Sequence, residues 1–151
     1  MFGSGRRFSR APHFSQFGFS AIFPAQPVHY HAAAMATREE IQATEVKVLQ
    51  AMCAGTPDGT VWDQGMLLLG AYPFQDVVHQ LIFDTLQEIN TDLPAVIRQQ
   101  LAARLTRKGF PAVDTEKFLA APGLAGDEAV ALMKRLREWS RGEERPDATL
   151  R

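Results

Sequence analysis

The chain has 151 residues, 46% apolar and 22% charged, with a formal charge of −1. That balance suits one soluble globular domain and excludes a global basic field of the kind that drives non-specific nucleic-acid binding. One cysteine, Cys53, excludes an internal disulfide and any multi-cysteine metal site, and no apolar run, Met66-Leu67-Leu68-Leu69 included, approaches the roughly 18 residues of a membrane span.

The first acidic residue is Glu39; ahead of it stand Arg6, Arg7 and Arg10 with three of the four histidines. Against a total of −1, those three arginines leave about −4 on the remainder. Residues 1–36 read as a disordered or non-native extension, 37–141 as a helical domain, and the polar 142–151 as a disordered tail. Three origins fit the extension: a targeting segment, an arm that touches a polyanion, or a stretch ahead of a natural start at Met35, where Ala36-Thr37-Arg38-Glu39-Glu40 looks like an ordinary soluble N-terminus. Ser20-Ala21-Ile22-Phe23-Pro24 is too short and broken for a secretory signal. His29 and His31 have no carboxylate or thiol ligand nearby, so no metal site is expected there.

From residue 38 the apolar residues recur at helical spacing. A first helix is predicted over 38–54, with Ile41, Glu45, Val46, Val48, Leu49 and Met52; Cys53 reads as a small core residue within it. Gly55-Thr56-Pro57-Asp58-Gly59 breaks it. A second helix, 60–71, carries Val61, Trp62, Met66, Leu67 and Leu69, and Pro73 ends it. A third, 74–90, puts Phe74, Val77, Val78, Leu81, Ile82, Thr85 and Ile89 on its apolar face. Asp92 is expected to cap a fourth helix over 93–108, with Pro94 in its first turn, Ile97, Leu101 and Leu105 inward, and Gly109 as its stop. Asp114 caps a short helix holding Phe118 and Leu119, and a last helix over 127–141 buries Val130, Leu132, Met133, Leu136 and Trp139. Strand-like alternation is almost absent, so the fold class is all-α, a compact bundle of five to six helices.

Chemistry is hard to find. No Gly-Lys-Ser/Thr phosphate loop and no GxGxxG occur, and only His79 remains in the folded part as a histidine. No catalytic, cofactor-binding or metal-ligating set is assigned, and no enzyme activity is expected; Cys53 with His79 is the weakest of the readings weighed. His79 is expected at the core edge, one ring hydrogen on a carbonyl, with Asp76 or Asp84 as the alternative neighbours that would make it a base. Arg98, Arg104, Arg107 and Lys108 read as a solvated helix face, or, in a helix-turn-helix reading, as phosphate contacts. Pro94-Ala95-Val96-Ile97 are poor base-edge readers for that second role.

The run from Tyr72 to Ile89 resembles the N-terminal domain of DnaB-type bacterial replicative helicases, where a Phe precedes a His that is followed by an Ile-Phe pair on one helix; Phe74, His79, Ile82 and Phe83 match in kind and spacing. Thr44-Glu45-Val46-Lys47-Val48-Leu49 looks like that family's first helix, Leu101–Phe110 like its basic-ended helix, and Glu116-Lys117-Phe118-Leu119 like its Tyr-Leu helix. The resemblance covers about residues 40–120 and departs at the insert 55–61 and in the missing ATPase domain. It implies a cytoplasmic, non-catalytic collar module that self-associates or contacts a replication partner such as primase, without a cofactor. Apolar surface near Trp62 or Trp139 is the expected interface.

Overall fold

Thr37 opens the first helix of a computed structural model that describes residues 36–143. Its hydroxyl accepts from the Glu40 N–H and the Glu40 carboxylate accepts from the Thr37 N–H, so two otherwise orphaned donors are met. Six helices follow, with no strand among the described residues: α1 (Arg38–Ala54), α2 (Thr60–Leu69), α3 (Val77–Ile89), α4 (Pro94–Arg107), α5 (Thr115–Leu119) and α6 (Gly126–Glu143). The expected all-α class holds. Residues 1–35 and 144–151 lie outside the described residues, and with them His29, His31 and nearly all of the expected extension and tail.

α1 is the axis of the bundle and touches each of the other five helices. Val48, Leu49 and Met52 are fully removed from water on it, each contributing roughly 1.5–3 kcal/mol. α2 and α6 pack together against one side of α1; α3 and α4 pair on another, and α5 rests on α1 and α4. Cys53 is buried, as its spacing suggested. Ile97, Leu101 and Leu105 form the inward stripe of α4, also as expected.

Four details differ from the sequence expectation. α3 starts three residues late, because the Asp76 carboxylate caps it by accepting from the Val78 N–H at 2.7 Å. Its buried stripe is His79, Ile82, Phe83 and Leu86, with Thr85 beside it, while Val77 stands 81% exposed and Phe83 only 1%. The cap of α4 is not Asp92. Leu93 holds that position without a side-chain bond, Thr91 accepts from the Leu93 N–H, and Asp92 instead turns its backbone oxygen and carboxylate toward Gly55 and Gly59. In α6 it is Ala129, not Val130, that is buried with Met133 and Leu136.

Glycine allows two close approaches. A Cβ on Gly65 of α2 would lie 2.7 Å from Sδ and Cε of the buried Met52, so a larger residue there would have to displace the end of that side chain. Gly55 has φ +64° and faces the Asp92 carbonyl, where a Cβ would come within 2.8 Å. Past α4, Gly109 at φ +92° lets the Phe110 N–H reach the Leu105 carbonyl and its own N–H reach Thr106, closing the helix as predicted.

Candidate functional site

Glu45 sits in the middle of α1 with its side chain fully buried. An ionised carboxylate there is tolerable only with its lone pairs filled. Three donors fill them. The Tyr72 hydroxyl donates to Oε1 at 2.8 Å, the Gln75 backbone N–H donates to the same oxygen at 2.7 Å, and Nδ1 of His79 lies 2.6 Å from Oε2. A carboxylate can only accept, so Nδ1 carries the hydrogen of that contact. The partner of His79 is thus the Glu45 carboxylate rather than the carbonyl expected, and neither Asp76 nor Asp84 takes that place: Asp76 caps α3 and Asp84 accepts from Gln80.

Aromatic rings wall this polar centre. Tyr72 meets Phe74 edge-on at 4.9 Å, Phe74 leans on Phe83 at 5.3 Å, and the imidazole meets Phe118 edge-on at 5.7 Å. The link from α1 to α3 and to the segment between α2 and α3 is therefore directional. It also selects which face of α3 turns inward, since His79 can reach Glu45 only if Val77 and Val78 face out.

With Nδ1 taken, Nε2 is the remaining polar atom of His79. No buried side-chain nitrogen or oxygen among the described residues lacks a partner, so this nitrogen, which makes no hydrogen bond, keeps contact with the outside although the side chain is only 4% exposed. The outside it meets is a groove. On one side lies a cleft of 420 Å³ walled by Val78, Phe110, Pro111, Val113 and Phe118. On the other, a cleft of 460 Å³ runs under α1 past Val46, Lys47 and Gln50. Asp76, His79 and Lys117 belong to both. The groove is mainly apolar, with a fixed imidazole at its centre.

The residues singled out from sequence fall elsewhere. Trp62 is buried in the core at 7% exposure and offers little side chain to a partner, whereas Trp139 is half-buried and lines a further cleft between α1 and α6 that adjoins the groove. The four cations do not form one patch. Arg104 and Lys108 both reach Glu88 of α3, the latter at 2.5 Å; Arg98 donates to the Leu119 carbonyl and faces Glu116. Arg107 stands exposed and has no such partner among the described residues. Cys53 is equally unpromising for chemistry, because burial pushes its thiol up to about 12 despite the opposing charge of Arg98, the reverse of what a nucleophilic thiolate needs. The described residues contain no group of three or more His, Cys, Asp or Glu arranged to hold a metal. None of their helices is long and apolar enough to cross a membrane.

The sequence signal for this site was Glu45 among the apolar positions of the first helix. A charged residue on a core stripe demands a buried partner, but nothing local in the sequence names His79 as that partner. Tyr72 and Gln75 carried no such mark. No protein-family model matches this chain, and neither does any curated protein or any solved structure.

Proposed function

We propose that this chain is a non-catalytic helical interaction module of the replicative-helicase N-terminal type, which self-associates or contacts a replication partner such as primase. The observation that carries it is the groove at His79: apolar walls, exposed Val78 and Phe110 at its edge, and a rigid floor fixed by the buried Glu45 pair. Contiguous apolar surface on a firmly packed body is what a protein interface uses. The residues that carry the family resemblance also lie in one cluster, since Glu45, Phe74, His79 and Phe83 are linked by the contacts described above.

The helix-turn-helix alternative finds less support. The start of α4, which would have to enter a groove of DNA, presents Leu93, Pro94 and Ala95 to solvent, and two of its four cations are engaged by Glu88.

Light scattering on the full chain, alone and mixed with a bacterial primase, tests the proposal. A mass above that of one chain in either sample is expected. A strict monomer in both would sink it.

A further inference from the structure

Three clefts adjoin in turn, two of them lined by α1. The part of the His79 groove that runs under α1 shares Ala43 and Lys47 with the third cleft, a space of 420 Å³ between α1 and α6 floored by Trp139. The α1 residues that line these two, from Glu40 to Gln50, span about 15 Å at 1.5 Å per residue, room for about three helical turns before the path continues into the cleft at Val78 and Phe110.

The charges along this path are not equivalent. Each carboxylate is already used at a helix start: Glu40 accepts from the Thr37 N–H, Asp76 from the Val78 N–H and Asp114 from the Lys117 N–H. At α1 and α3 the positive end of the helix dipole sits beside that carboxylate and offsets its outward field. The cations have no such engagement. Among the described residues, the side chains of Lys47 and Arg135 make no ion pair or hydrogen bond, and Lys117 only lies over the Phe118 ring at 5.6 Å. Free positive charge therefore alternates with apolar floor from Arg135 to Lys117.

We propose that this path takes an acidic amphipathic segment of a partner protein. Its apolar side chains would rest on Trp139, Val46 and the cleft beside Val78 and Phe110, and its carboxylates would meet Arg135, Lys47 and Lys117. This rests on the interaction-module reading and names the partner's chemistry. Nucleic acid also offers anions, but a sugar–phosphate chain would leave the apolar floor uncovered, and burial of that floor is the larger favourable term.

The test uses a synthetic helical peptide of about 14 residues, with Leu on one face and Glu on the other. The same peptide with Lys in place of Glu and an oligothymidylate serve as comparators. Titrated into the full chain and followed by NMR, the acidic peptide shifts Ala43, Lys47, Val78 and the Trp139 indole and leaves Trp62 and Leu67 unmoved. Reversing two of the cations, Lys47→Glu with Arg135→Glu, weakens it about tenfold, or about 1.4 kcal/mol, while a thermal melt of the variant stays near that of the parent. Equal binding of the Lys peptide, tighter binding of the oligonucleotide at the same salt, or no shift at millimolar acidic peptide would overturn the proposal. No replication protein is in the tube, so a failed titration beside a primase complex removes only the acidic occupant. A bound peptide beside a strict monomer that ignores primase removes only the replication partner.

Discussion

Where α1 meets α3, a carboxylate withdrawn from water takes three hydrogen bonds; where α1 meets α2 and α6, Met52 closes on the bare backbone of Gly65, and Trp62, Met133 and Leu136 fill the rest. One side is specified by direction and the other by shape. A hydrogen-bonded charge fixes rotation and register, because a shifted helix leaves donors and acceptor unmet at full desolvation cost. An apolar contact is more forgiving in direction but sensitive to volume. The groove borders the directional side, where a binding surface gains most from a floor that does not move.

The comparison can be broken most severely at Glu45. Glu45→Ala leaves the Tyr72 hydroxyl, the Gln75 N–H and the His79 Nδ1–H without their acceptor, and urea unfolding should show a loss of about 3–5 kcal/mol. A loss below about 1 kcal/mol would mean that the polar centre is dispensable. On the shape side, Met52→Ala opens a cavity and costs about 2–5 kcal/mol. The same experiment carries a sign test: Gly65→Ala in the parent pushes a Cβ into Met52 and destabilises, whereas in the Met52→Ala background it stabilises by about 0.5–1 kcal/mol through lower backbone entropy in the unfolded chain. Equal effects in both backgrounds would show that the close approach is not what requires glycine.

Tyr72→Phe removes a single donor from Glu45 and keeps the ring against Phe74. A loss of about 1.5 kcal/mol is expected, the range for hydrogen bonds to charged groups, and a cycle with Glu45→Gln should show the two changes coupled rather than additive.

The smallest effect concerns Asp58. Its carboxyl is held below the ordinary value of 3.8, first by the Thr60 hydroxyl, then by the Thr60 N–H and the Thr56 hydroxyl. A lowered folded value means that its contribution to stability is present above the unfolded pKa and is lost as pH falls through the folded one. NMR titration should place its midpoint below 3.8 in the parent, and Thr60→Val should move it upward.

How far the sequence speaks differs along the chain. α1 was legible over 38–54 from its apolar spacing and the turn residues behind it, and the start of α5 from its Asp114 cap. The stripe of α4 was legible because Ile97, Leu101 and Leu105 compete with no other apolar face. α3 was not, because two apolar faces overlap at Ile82: one through Val77, Val78 and Leu81, the other through His79, Phe83 and Leu86. Periodicity alone scores Val77 above a histidine. The candidate site shared that difficulty, since a carboxylate in one helix and an imidazole 34 residues later carry no local mark of being neighbours.

By itself, then, the sequence determined the helical class, the breaks between helices, the inward stripe of α4 and the burial of Cys53, because caps, turn residues and apolar spacing act over a few residues and can be read there. Only the tertiary structure decided which face of α3 turns in, that Trp62 belongs to the core while Trp139 lines a cleft, and that Arg104 and Lys108 are drawn to Glu88 while Arg98 turns to Glu116 and the Leu119 carbonyl. Those outcomes depend on what stands opposite in space. A buried charge seeks its counter-group and a helix its closest approach wherever the chain brings them together.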